Sequence, residues 1–403
     1  MTSKPPGQPG FESLLTPVSA DDFFSRYWEK MPLHISRTDE AFFARLLSVE
    51  QIDQLLSSGE HTFPNIQLTQ SSDPVSTEEY VEPDNTINPL RLIQRHHQGA
   101  TIVLSQAQDY LPQLANFTRR MQAAFQLQCQ TNVYLSPPAR QGFNPHYDSH
   151  DVFILQVSGS KTFNFYNGGI DLPLNSHRFD KNNTVVGDKN ESICLTPGDT
   201  LYIPRGVLHD AIAHDNTSLH ITLGVYSITL LQLLQETLQV AAEKDIRYRQ
   251  SVPPIPWQQH SGRAEFQQAS DAVISTLLTA DNLDIAIAKL RDHISLETKP
   301  DIAGLLKNGS GNEDLTLSTV IRLRNEALLG VEHNGPTLRL RAFGQILEFE
   351  EPMSHAVELI VKQQRVQLDK LPLTDNKQKF ALTAQLLREN IVAIEKPGFQ
   401  LPQ

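Results

Sequence analysis

Apolar residues recur at helical spacing in "DDFFSRYWEKMPLHI" (21–35) and in "SVEQIDQLLSS" (48–58), so the chain from Phe11 to about Ser58 is expected to be helical, with a cap at Ser19 or Asp21. Phe23, Phe24, Tyr27 and Trp28 fall on one aromatic stripe of that segment, which reads as packing. Between about 60 and 228 the pattern changes to short alternating runs bounded by turn residues, which predicts a β barrel or sandwich. The candidate strands are 131–136, 150–159, 161–166, 199–204 and 218–226, with inserted helices at 88–96 and 107–126. After Tyr226 the leucines of "ITLLQLLQETLQVAAEKDIRYRQ" restore a helical period. "SVPPIPWQQHSG" (251–262) then reads as a linker, and helices are expected again over 264–294. Helices and a strand pair in "TLRLRAFGQILEFE", turning at Gly344, suggest a small winged-helix-like unit toward the C-terminus.

A chain of 403 residues is longer than one hydrophobic core usually serves, so more than one unit is expected. The balance of 34 basic against 46 acidic residues, net −12, argues against a protein whose task is to coat nucleic acid or anionic membrane. Direct nucleic-acid binding is therefore not expected. The two cysteines, Cys129 and Cys194, form no CxxC pair and read as reduced thiols. "MTSKPPGQPG" is a polar tail without an apolar stretch, and no later run of about 18 apolar residues could span a bilayer. A soluble, cytoplasmic protein is the expectation.

The chemistry concentrates in two stretches. In "NPHYDSHDVFILQVSGSKTFNFY" (144–166), His146 and Asp148 stand two apart at the head of an alternating run, the spacing that puts an imidazole and a carboxylate on one face of a strand. In "TPGDTLYIPRGVLHDA" (196–211), a strand runs into a Pro-Gly turn that delivers His209 at the start of the next strand. Two imidazoles and a carboxylate occupy one face of an octahedron and leave positions open, as suits non-haem Fe(II), although zinc accepts the same atoms. Lys161, fifteen residues after His146 and beside Phe163 and Phe165, is costly among apolar strand residues unless its ammonium meets an anion. A 2-oxoglutarate molecule anchored at the metal by its 2-oxo acid end would supply that anion.

Together these segments resemble the JmjC-type cupin core of the ribosomal oxygenase family, 2-oxoglutarate-dependent hydroxylases of ribosomal proteins, over roughly residues 12 to 228. The resemblance implies an α+β fold: a double-stranded β-helix (jelly-roll) core with N-terminal helices, a helical dimerisation region and a winged-helix-like C-terminal domain. The implied division is a flexible tail at 1–10, a catalytic domain at 11–228, a helical region at 229–300 and a winged-helix-like domain at 301–403. It implies iron ligands His146, Asp148 and His209, with Lys161 pairing the distal carboxylate of 2-oxoglutarate and O2 as the second co-substrate. Asn132, Tyr134 and Thr222 match positions lining the co-substrate pocket. A protein substrate, with ribosomal proteins first, and a homodimer built on Leu230, Leu231, Leu234 and Leu238 follow from the same source.

Some members of that family carry arginine where this chain has Lys161. Relative to the general cupin pattern, Asp148 replaces the second histidine of an HxH pair and no glutamate follows, which removes a fourth protein ligand and leaves the metal more open. Hydroxylation and demethylation are both compatible with this reading. Two rivals are the same chemistry on a free amino acid or small metabolite, and a non-catalytic cupin that binds metal as a scaffold. Of the other polar residues, His150 and Asp151 are candidates to support the metal or face substrate. His220 reads as a packed, hydrogen-bonded histidine, and His177 and His214 receive no role.

Overall fold

The computed structural model describes residues 9–71, 73–251, 260–300, 302, 315–324, 330–334, 337–343 and 345–395. The expected tail over 1–10, the linker over 251–262 and the turn at Gly344 fall wholly or mostly outside the described residues. The chain divides into two units between Ser227 and Ile228.

Among its described residues the first unit carries ten strands: β1 (Leu33–Ile35), β2 (Ile66–Thr69), β3 (Thr101–Leu104), β4 (Gln128–Ser136), β5 (Asp151–Ser158), β6 (Lys161–Gly168), β7 (Val186–Leu195), β8 (Thr200–Ile203), β9 (His209–Ala213) and β10 (Ser218–Tyr226). Seven of them form an antiparallel sheet in the order β1-β8-β5-β10-β4-β3-β2, and three form a second sheet, β7-β6-β9. The chain passes from the large sheet to the small one after β5 and after β8, as a double-stranded β-helix requires.

The central strand β10 shows how the sequence builds both core and cavity. Leu219, Ile221, Leu223 and Val225 point to one face and join Val133, Leu135, Phe153 and Leu155 in the main apolar cluster. That cluster is closed by Leu114, Phe117 and Met121 of the helix Pro112–Phe125 and by Phe23 of the helix Ala20–Arg26. Each such fully buried side chain contributes about 1.5–3 kcal/mol. The alternate residues, His220 and Thr222, are buried too, at 4% and 8% exposure, because the opposite face of β10 is covered by the small sheet and lines a cavity instead of meeting water.

The structure departs from the sequence reading at several points. The stretch 11–58 is not continuously helical: helices span Phe11–Leu15, Ala20–Arg26 and Val49–Ser57, and "LHI" pairs as edge strand β1 against β8. Ser19 is the cap, its Oγ accepting the backbone N–H of Asp22. Of the aromatic stripe, Phe23 is buried against Phe153 and Tyr202, Trp28 stacks on Tyr202, and Phe24 is 43% exposed. Strand β7 was not foreseen, because most of its side chains are exposed and it lacks apolar alternation.

The second unit begins with the helix Leu230–Lys244 and continues through His260–Ile274 and Ala280–Glu297. Two three-stranded sheets follow: Gly330–Asn334, Thr337–Ala342 and Gln345–Phe349 in one, Val320–Leu323 between Arg365–Gln367 and Val392–Ile394 in the other. The helices Met353–Gln363 and Asn376–Arg388 share a core with them that includes Ile321, Leu338, Val357 and Leu386. Among the described residues, no helix is long and apolar enough to cross a membrane. Both cysteines are free thiols, Cys129 buried and Cys194 exposed.

Candidate metal centre and its cavity

His146 does not lie on a regular strand. It is joined to His209, the first residue of β9, by a single antiparallel bridge, in which the His146 N–H donates to the His209 carbonyl at 3.0 Å and the His209 N–H returns to the His146 carbonyl at 2.8 Å. Such a doubly bonded pair holds two residues directly opposite each other. Asp148 follows in the loop before β5, where its carbonyl accepts the N–H of Gly206 at 2.9 Å. The backbone therefore fixes all three residues relative to one another before any metal is considered.

The side chains are oriented as well. Nδ1 of His146 donates to the Asn144 carbonyl at 2.9 Å and Nδ1 of His209 to the Val207 carbonyl at 3.0 Å. Carbonyl oxygens only accept, so in both rings Nδ1 carries a hydrogen and Nε2 is the nitrogen left for a metal. One ligand atom from each of His146, Asp148 and His209 lies within 4.8 Å of the others, and Nε2 of His209 is 3.7 Å from Oδ2 of Asp148.

Charge balance favours the protonation states that coordination needs. Burial pushes the Asp148 carboxyl up, but the imidazoles of His146, His209 and His150 outweigh it and hold it below the usual carboxylate range. Burial, with help from His146, lowers His209 and keeps it neutral. A carboxylate and two imidazoles, each pinned through its Nδ1, are a donor set that fits a divalent cation.

Gly206 makes this arrangement possible. It adopts φ +86°, and a Cβ there would stand 1.9 Å from the carbonyl oxygen of Ile170. Gly206→Ala is expected to lower stability by about 2–4 kcal/mol and to weaken metal binding, because the turn that holds Asp148 must open. Chemical denaturation and metal titration of the variant check both effects.

The three residues form one wall of a cavity of about 630 Å³, counting its open mouth, that runs between the two sheets. Lys161, Asn132, Tyr134 and Thr222 all line it, so the seven residues singled out in the sequence share one space. Thr222 is paired directly with Asn132 on one side and with Ile154 on the other. Asn132 Oδ1 accepts the backbone N–H of Gln106 and an N–H of Gln130, both at 3.0 Å. Lys161 is 3% exposed, and its Nζ donates to Ser136 Oγ at 3.0 Å. Thr101 Oγ1 donates to the same hydroxyl at 3.0 Å. Burial pulls the Lys161 ammonium down to about 7, and no ion pair of Lys161 with a carboxylate is found among the described residues.

The other candidates divide. His150 lines the cavity and stacks on Tyr226, with ring centroids 4.6 Å apart. Gly224 makes room for it, since a Cβ at 224 would lie 2.7 Å from the His150 ring. Asp151 does not face the cavity: it is fully buried and accepts hydrogen bonds from Tyr202 at 2.6 Å and Ser227 at 3.0 Å. Adjacent residues at the head of a strand point to opposite faces, so only one of the two could serve the site. His220 is packed but not hydrogen-bonded as expected, because its buried Nδ1 has no partner. Thr101, Ser136 and Phe143 were missed; the period-two series Asn132, Tyr134, Ser136 was the available signal for Ser136. His214 sits 2.6 Å from Thr162 Oγ1 and His177 within a local turn, both outside the cavity lining.

Residues 103–233 match the family model described as "JmjC domain". The chain is 28% identical over 421 aligned positions to the "Bifunctional lysine-specific demethylase and histidyl-hydroxylase NO66" of Culex quinquefasciatus, which covers 92% of this chain and 64% of that protein. It is 32% identical over 256 positions to "Ribosomal oxygenase 1" of Gallus gallus, covering 60% of this chain and 42% of that protein. The chain thus spans less than two thirds of the length of either relative. The structure of YcfD, a ribosomal oxygenase from Escherichia coli, in complex with cobalt and 2-oxoglutarate superposes with a TM-score of 0.52 at 15% identity, over 94% of this chain and 99% of that one. At that identity the likeness speaks for the fold, a JmjC cupin core. Residues 103–233 thus match a JmjC domain, and the chain is similar in sequence to the NO66 and ribosomal oxygenase proteins.

Proposed function

We propose that this protein is an Fe(II)- and 2-oxoglutarate-dependent oxygenase that hydroxylates a side chain of a protein substrate, with ribosomal proteins the first candidates. The observation that carries the reading is the pairing, in one cavity, of a pinned two-histidine, one-carboxylate set with a buried ammonium that has no carboxylate partner among the described residues. His146, Asp148 and His209 would hold the iron, and Lys161, with Asn132, Tyr134 and Thr222 around it, would hold 2-oxoglutarate. Iron at this site supplies O2 activation coupled to the oxidative decarboxylation of 2-oxoglutarate to succinate and CO2. The chain's own contribution is to keep His209 neutral, to hold both imidazoles in place through their Nδ1 hydrogen bonds and to neutralise the distal carboxylate. The mouth beside Phe143, itself 40% exposed, suits a side chain presented by a polypeptide better than a molecule that must be fully enclosed. The names of the relatives point to histidyl or lysyl side chains as the first targets.

The same reading takes 11–228 as the catalytic domain, 229–300 as a helical dimerisation region and 301–403 as a winged-helix-like domain, in a cytoplasmic homodimer. Leu230, Leu231 and Leu238 support the dimer, since they are 71%, 45% and 48% exposed on one helix. The test is succinate formation by anaerobically iron-loaded protein given O2, with and without a ribosomal-protein extract. Turnover stimulated by the extract, with a +16 Da product on one protein, is the expected result. A well-folded, iron-loaded chain that neither binds nor consumes 2-oxoglutarate would instead be a metal-binding scaffold.

A further inference from the structure

The polar end of the cavity holds a second group that the reading above leaves without a task. His220 is 4% exposed and lines the same cavity as Lys161. Its ring is locked in place: it stacks on Tyr134, its direct partner across β10 and β4, with centroids 4.8 Å apart and planes 10° apart. Phe163 closes it edge-on at 5.9 Å. The backbone also marks the position. The register between β10 and β5 shifts between Leu219 and His220, so that Leu219 faces Ser158 while His220 faces Gln156, and Val157 is left over.

A ring so tightly placed nevertheless keeps a buried Nδ1 with no hydrogen-bond partner. Buried polar atoms left unpaired are rare and costly, and they mark places where a ligand completes the set. Lys161 does not complete it: its Nζ donates to the Ser136 hydroxyl, and the His220 Nδ1 stays without a hydrogen bond. Burial, and then Lys161, hold the His220 imidazolium far below its ordinary range, so the ring is neutral and still carries one N–H. The cavity is therefore lined by a lysine whose amine has hydrogens beyond the one given to Ser136 and by an imidazole with an unpaired ring nitrogen.

We infer that His220 and Lys161 together grip the distal carboxylate of 2-oxoglutarate, the ammonium neutralising it and the neutral imidazole donating a second hydrogen bond that fixes its plane. This rests on the reading of the cavity as a 2-oxoglutarate site. One cation against one carboxylate leaves no net buried charge, and a neutral second donor adds direction without disturbing that balance. His220 is thus a positioning and specificity residue for dicarboxylates, distinct from the metal ligands.

The experiment is calorimetric titration of Mn(II)-loaded protein, which binds without turning over, with 2-oxoglutarate and with 2-oxobutanoate, which has the same 2-oxo acid end and no distal carboxylate. In His220→Phe, which keeps a ring against Tyr134, 2-oxoglutarate affinity is expected to fall roughly ten- to a hundredfold while 2-oxobutanoate affinity stays at the wild-type value. His220→Gln, which retains an N–H donor, should recover part of the loss. Unchanged 2-oxoglutarate affinity in His220→Phe, or an equal loss for both acids, would overturn the inference by making His220 a packing residue. If wild-type protein binds 2-oxoglutarate no better than 2-oxobutanoate, or binds neither, the underlying co-substrate reading fails first, and that result is visible without any variant.

Discussion

Replacing His209 by alanine is expected to abolish 2-oxoglutarate turnover and to weaken divalent-metal binding by at least about a hundredfold, since losses of even supporting groups around a metal cost ten- to a hundredfold. The substitution removes a side chain and leaves the backbone in place. The N–H and C=O of residue 209 still make the bridge to residue 146, so the turn and the strand persist. What disappears is one of the two imidazoles of the ligand set and one of the groups that hold Asp148 low against its burial. Metal binding should therefore stabilise the wild-type fold by about 2.7 kcal/mol at a hundredfold excess over Kd. The variant should show no metal-dependent rise in Tm. Equilibrium dialysis and thermal unfolding with and without metal read this directly, and a His209→Ala protein that binds metal as tightly as wild type would remove His209 from the ligand set.

Lys161→Met should weaken 2-oxoglutarate binding by roughly two to four orders of magnitude, because removing one partner of a buried ion pair costs about 3–5 kcal/mol. The same substitution has a proton signature. In the free protein burial pulls Lys161 down to about 7 from an ordinary 10.5. At about pH 8.5 it is largely neutral, and a carboxylate arriving beside it restores the charge, so binding should take up close to one proton. At about pH 6 the lysine is already protonated and uptake should be near zero. Titrations in buffers of different ionisation enthalpy measure the number, and Lys161→Met should take up none at either pH. The sign for folding is the same. Between 7 and 10.5 the unfolded chain binds the proton that the native chain does not, so this group's contribution to the stability of ligand-free protein rises with pH across that window and is flat below it.

The seven candidate residues that line one cavity stood out in the sequence for different reasons. His146 and Asp148 were found from a spacing of two, yet the structure brings them together without a regular strand, through one bridge to His209 and one hydrogen bond to Gly206. The Pro-Gly turn before His209 was readable because proline fixes its own φ and glycine alone tolerates the close approach at 206. Lys161 stood out because a lysine in an apolar strand demands an explanation. Asn132, Tyr134 and Thr222 came only with the resemblance to a family. Asp151 was misjudged with His150, although strand alternation separates them, and β7 escaped because an exposed edge strand has no apolar rhythm to detect.

What the amino-acid order determined by itself was local: which segments alternate, where turns must fall, and that two imidazoles, a carboxylate and a buried ammonium occur at spacings suited to strands. Only the tertiary structure decided that Ser136 of β4 would meet Lys161 of β6, that His150 would fill the space left by Gly224, and that His220 would be buried with a nitrogen unpartnered. The physical reason is that these contacts join different strands, across a sheet or between two facing sheets. Period-two patterning says which side of its own strand a residue takes. It says nothing of the register that sets one strand against another, and that register places the donors and the gaps of this cavity.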